Sequence, residues 1–142
     1  MEHLIDIIFR ANLISIASYY LIYVLVNYFT HDEKKVITRH FLQELFFQFF
    51  NAYLTAIFSK GSFSICIVSG LTYALFQNLI SALLNVIIDR ASIGEVIKYY
   101  HRTALGSISN KYVFVIYIIM VMALSISGYF AYWLIAKIGK LW

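Results

Sequence analysis

Proline is absent from this sequence and cysteine occurs once, at Cys66. One cysteine excludes an intrachain disulfide and any cysteine-based zinc cluster. Cys66 lies inside an apolar run, where a free thiol acts as a small buried hydrophobe. Without proline, a serine-rich linker or a run of like charges, nothing marks a boundary, so residues 1–142 are read as a single domain. Charge is also scarce: Asp, Glu, Lys and Arg make up 13% of the chain, against about 25% in ordinary soluble domains. A water-soluble fold of this length buries only about 70% of its unfolded surface and needs polar side chains to cover the rest. That shortage excludes an ordinary soluble domain and points to lipid as the solvent.

What the chain has instead is apolar and aromatic. Hydrophobic residues reach 62%, and there are twelve Tyr, twelve Phe and two Trp. Tyr and Trp favour the headgroup region, where the ring is buried and its polar atom stays wet. Eleven Lys and Arg against seven Asp and Glu leave a net charge of +4. These basic residues sit between apolar runs and form no continuous face for phosphates, so nucleic acid is not an expected partner. Near the N-terminus, Glu2 and Asp6 occupy the place of a signal peptide's basic region, and no small-residue cleavage site follows the apolar run. That run is expected to be retained as a first helix.

Four apolar stretches, 11–29, 41–58, 63–88 and 112–136, compare with the roughly 20 residues needed to cross a hydrocarbon core. They predict an all-α membrane protein, a four-helix transmembrane bundle. The second stretch is short and carries Gln43, Glu44, Gln48 and Asn51, so three spans plus one interfacial helix is the alternative. Lys60, Gly61 and Ser62 make a tight turn between the second and third stretches, which implies an antiparallel hairpin. Trp133, Lys137, Lys140 and Trp142 anchor the last stretch at an interface. In the hydrophilic segment 89–111, Ser92 and Glu95 have capping-box spacing, and Ile93, Val96, Ile97 and Tyr100 recur on one side. These predict a short amphipathic helix before the last span.

With four spans, the loops 30–40 and 89–111 share one side and carry seven basic residues, against four on the other side. The positive-inside rule then makes both loops cytoplasmic and puts both termini outside. A bacterial inner membrane is the expected location.

The spacing of polar residues inside the apolar stretches is the next signal. Glu44, Gln48, Asn51 and Thr55 follow one another by four, three and four, so they form one stripe on a helix. Such a stripe lines a pathway, meets a partner helix or, if the helix lies flat, faces water; Glu44 alone could also snorkel. Gly70, Ala74, Gln77, Ser81 and Asn85 form a matching stripe in the third stretch. Small residues there permit close helix approach, and the amides can hydrogen-bond across the contact. The two stripes together predict a polar intramembrane seam. Ala123, Ser127 and Ala131, four residues apart, predict a packing face on the last helix.

His3, His31, His40 and His101 show no ligand spacing, and no cofactor or metal is expected. His101, Arg102 and Thr103 are similar to the His-Arg pair near the quinone site of succinate dehydrogenase membrane anchors. Only one span follows them here, and the likeness carries no further. No nucleophile triad, phosphate loop or HExxH motif is present, so the chain is not expected to be an enzyme. In size and hydropathy it resembles the immunity proteins of pore-forming bacteriocins, in outline and without a shared motif. The expected function is therefore a non-enzymatic membrane interaction protein: a small subunit of a complex, or a toxin-immunity or exclusion factor. Its partners are the lipid bilayer and another membrane protein or a second copy of itself. The alternatives are a small oligomeric transporter, flippase or channel, and a phage holin.

Overall fold

A computed structural model of the chain describes residues 1–29, 36–88 and 110–140. The described residues form four α-helices and no strand: α1 (Glu2–Phe29), α2 (Val36–Phe58), α3 (Phe63–Ile88) and α4 (Asn110–Gly139). Three of them are long and apolar enough to cross a membrane, over Glu2–Val26, Phe63–Ser81 and Val115–Gly139. At about 1.5 Å per residue these segments reach roughly 28–38 Å, which matches a hydrocarbon core about 30 Å thick. The helix predicted from Ser92 and Glu95 lies outside the described residues, as do residues 30–35 of the first loop.

Three helices begin earlier than their apolar stretches, α4 by two residues. α1 starts at Glu2 rather than at residue 11, because Ile7 and Ala11 extend its buried stripe and Arg10 pairs with Asp6 one turn back, at 2.9 Å. Both charged groups are exposed, so the pair contributes at most about 0.5 kcal/mol. α2 starts at Val36, so Arg39 and His40 belong to its first turns rather than to the loop.

The turn after α2 is a Schellman cap. Gly61 N–H donates to Ala56 O at 2.8 Å and Lys60 N–H to Ile57 O at 3.2 Å, which satisfies carbonyls left free at the helix end. Lys60 takes a left-handed φ of 54° at the position that usually belongs to glycine, and Gly61 follows at 85°. A side chain at Gly61 would also meet Trp133 at 3.0 Å and Tyr132 at 3.1 Å, so the turn is seated against the end of α4.

Successive contacts set the helix directions. Ser15 meets Asn51, and Asn51 meets Ser69, whereas Asn12 meets Thr72 and Tyr20 meets Ser81. α1 and α3 therefore run one way and α2 the other. Asn78 meets Tyr117 and Gln48 meets Ser125, so α4 runs with α2. α2 and α3 pack against each other and each against both remaining helices, leaving α1 and α4 on opposite flanks. The aromatic centre is Tyr19, Phe47 and Tyr73, with Tyr19 and Phe47 edge to face at 5.7 Å.

Polarity is distributed the opposite way from a soluble domain. The outward positions of α2 include Leu42, Phe46, Ile57 and Phe58, and those of α4 include Ile116, Ile119, Phe130 and Leu134. Inside, Asn12, Ser15, Gln48, Asn51, Thr55, Ser69, Gln77 and Ser125 are all buried.

Candidate functional site

Asn51, near the middle of the fold, bridges three helices. Its Oδ1 accepts from Ser15 Oγ of α1 at 3.1 Å, and its Nδ2 donates to Ser69 Oγ at 3.2 Å and Ser69 O at 3.3 Å on α3. Ser69 is the hub on the other side. Its hydroxyl donates to Asn12 Oδ1 at 3.1 Å and accepts from Asn51 and from Thr55 Oγ1 at 2.8 Å, which uses its one proton and both lone pairs. Thr55 Oγ1 also lies 2.8 Å from Asn51 O, so its single proton serves one acceptor at a time. Asn12 Nδ2 closes the network on Thr72 Oγ1 at 2.9 Å. One helical turn away, Gln48 Nε2 donates to Gly70 O at 2.9 Å and approaches Ser125 Oγ at 3.4 Å.

The local sequence explains this convergence. Asn12, Ser15 and Tyr19 are three and four residues apart and so line one side of α1; Gln48, Asn51 and Thr55 do the same on α2. Gly70 brings the backbones together, since a Cβ there would collide with the Ser125 hydroxyl and lie 3.1 Å from Gln48 Nε2. At Gly128 the obstacle includes backbone: a Cβ would stand 2.6 Å from Phe49 O and 2.7 Å from Ala52 Cβ. Ser15, Asn51, Thr55 and Ser69 have 0% exposure. These four side chains are therefore closed off from the surroundings of the fold.

The remaining predicted residues divide. Ala74 is buried on α3, and Ser81 hydrogen-bonds Tyr20 Oη at 2.8 Å. Glu44 is half-buried and faces Gln77 across the α2–α3 contact. Asn85 lies on α3, but its side chain is outside the described residues. Ala123, Ser127 and Ala131 sit on the outer side of α4, and the inward positions are Val121, Ser125 and Gly128. Ser127 Oγ, exposed, turns back to Ala123 O at 2.8 Å, as a hydroxyl does when no neighbour offers a partner.

Sequence reasoning missed Asn12, Ser15, Ser69, Thr72 and Ser125. The signal for the first two was present in the Asn12–Ser15–Tyr19 spacing. Ser125 was hidden by the rival spacing Ala123–Ser127–Ala131 on the same helix. Chemically the network of Asn12, Ser15, Asn51, Thr55 and Ser69 is a set of neutral donors and acceptors bonded to one another, and it includes no nucleophile beside a base. Among the described residues, no three His, Cys, Asp or Glu side chains gather where they could hold a metal ion. Comparison with protein-family models, with curated proteins and with solved structures finds no significant match to this chain.

Proposed function

We propose that this chain is a non-enzymatic, four-span protein of the bacterial inner membrane that acts by packing against an apolar helix of another membrane protein. The closure of the Asn51–Ser69 network carries this reading. A conduit needs polar groups with spare hydrogen-bonding capacity along a wetted path, whereas the Asn51 and Ser69 groups spend theirs on each other behind 0% exposure. Four spans are supported by α2 itself. A helix lying flat on a bilayer keeps one polar face in water, but the outward positions of α2 include Leu42, Phe46 and Phe58, and Gln48, Asn51 and Thr55 point inward. Its 23 residues reach about 34 Å, enough to cross.

Contact with a partner is supported by the outer side of α4. There the small residues Ser127 and Ala131 lie in an open groove beside Phe130, Trp133 and Leu134. Small residues four apart are what allow two helices in lipid to approach closely, and the described residues leave Ser127 exposed on that face. Replacing Ala131 by Trp fills the groove without touching the seam. Partner co-purification from membranes is expected to fall at least tenfold, with thermal stability of the isolated protein unchanged. Retention of the partner by Ala131→Trp would sink the reading.

The seven-to-four division of basic residues supports cytoplasmic loops at 30–40 and 89–111. Lys60, exposed in the turn at the opposite end, is then outside. Lys60→Cys is expected to react with a membrane-impermeant maleimide added to intact cells, and buried Cys66 supplies no background. Labelling only from the cytoplasmic face of inverted vesicles would reverse the topology.

A further inference from the structure

The outward faces of the two flanking helices carry opposite charges at the same end of the fold. On α1 the face turned away from buried Ile7, Ala11 and Ser15 reads Glu2, Asp6, Phe9 and Leu13, at steps of four, three and four. On α4 the groove beside Phe130, Ala131 and Leu134 has a volume of about 780 Å³ and ends at Lys137 and Lys140. The first turn of α1 and the last turn of α4 share one end, because α1 runs opposite to α2 and α4 runs with α2. Their depths agree as well. Ser15 is level with Asn51, and Gly128 packs on α2 between Phe49 and Tyr53. Nine residues outward from Ser15 is Asp6, and nine outward from Gly128 is Lys137, each about 14 Å away. Glu2 and Lys140 follow at about 18–20 Å. By the same count Phe9 falls at the depth of Leu134, Arg10 at that of Trp133 and Leu13 at that of Phe130.

We propose that the α4 groove of one copy receives α1 of a second copy of this chain, with Asp6 against Lys137 and Glu2 against Lys140. This rests on the reading of the groove as a helix-contact face and names its occupant. Copies in one bilayer share depth and orientation, so residues at equal depth meet and α1 lies antiparallel to α4. Arg10, which pairs with Asp6 at 2.9 Å within one chain, then stands beside the exposed Trp133 ring, a favourable place for a guanidinium. The same charges oppose a symmetric pairing. α4 against α4 brings Lys137 and Lys140 of both copies together, and α1 against α1 gathers Glu2 and Asp6. Because α1 and α4 occupy opposite flanks, the contact runs head to tail and continues into a ring or a row.

Cross-linking in native membranes with a short bismaleimide tests the contact, using two differently tagged copies of the full chain; Cys66 is buried and out of reach. Asp6→Cys in one copy and Lys137→Cys in the other are expected to give a mixed-tag dimer at least tenfold above either substitution placed in both copies. Ala131→Trp is expected to remove it. Charge reversal gives a second measurement. Lys137→Glu with Lys140→Glu, and Glu2→Lys with Asp6→Lys, each end association of a variant with itself, whereas the two variants co-purify with each other. Cross-linking through Lys137→Cys alone that equals the mixed pair overturns the proposal in favour of an α4–α4 contact and leaves the helix-contact reading standing. So does the absence of any cross-link while Ala131→Trp still releases a different membrane protein. A mixed cross-link that survives Ala131→Trp overturns both. If the lysine changes alter only the phospholipid retained by the chain, with no mixed cross-link, the lysines serve headgroups and the proposal fails.

Discussion

Replacing Asn51 by leucine is expected to lower the unfolding free energy by about 3 kcal/mol. The estimate comes from the bonds lost. Interhelical hydrogen bonds in membranes average about 0.6 kcal/mol and reach about 1.7 kcal/mol. Asn51 accepts one from Ser15 and donates a forked pair to Ser69, and its removal strands the Ser15 hydroxyl at 0% exposure and strips Ser69 of one of its three partners. Leucine, nearly the same size, keeps the volume filled, so the loss reports polarity rather than a cavity. Reversible unfolding in mixed detergent and SDS, followed by circular dichroism, measures it. Because Ser69 is the shared hub, Ser69→Ala and Asn51→Leu are expected to be strongly non-additive. Additive losses would mean that the two side chains are not one network. A conduit lined by these residues would make a different prediction, with flux changed and stability nearly untouched.

Gly128→Ala is expected to cost about 2 kcal/mol although it adds one methyl group. In a helix the change ordinarily helps, by up to about 1 kcal/mol. Here the new carbon would stand 2.6 Å from Phe49 O and 3.0 Å from Tyr53 N, both backbone atoms of α2, which cannot swing aside. α2 and α4 must separate, and overpacking of this kind costs about 1–3 kcal/mol. Gly139→Ala supplies the control within the same helix. No atom lies within 4 Å of that Cβ, so the same substitution is expected to be neutral or slightly stabilising. Equal effects at the two positions would show that α4 does not approach α2 so closely. Gly128 and Ala131 therefore separate the two faces of α4: a change at Gly128 lowers stability, and one at Ala131 lowers partner binding with stability intact.

The four helices follow from apolar runs of 18 to 26 residues broken by charge, and α3 matches its stretch at both ends. The Lys60–Gly61 turn was legible because a left-handed cap needs few residues and favours glycine. The Gln48–Asn51–Thr55 stripe was legible as well, because polar side chains are rare enough in an apolar run for their spacing to stand out. The early starts of α1 and α2 were not legible, since Asp6, Arg10, Arg39 and His40 read as loop until the helix ladder is seen to include them.

Composition and spacing by themselves thus pointed to lipid as the solvent, and located the four described helices and the polar side of α2. They could not determine which side of α4 faces inward. In water, burial selects the apolar side of a helix, so the sequence reveals the face. In lipid, apolar residues are equally at home inside and outside, and the choice falls to close approach and hydrogen bonding between helices. Those depend on neighbours: Gly128 lies against the backbone of α2, and Ser125 lies beside Gln48 and Gly70. Only the tertiary structure shows that these residues, and not Ala123, Ser127 and Ala131, hold α4 to the rest of the chain.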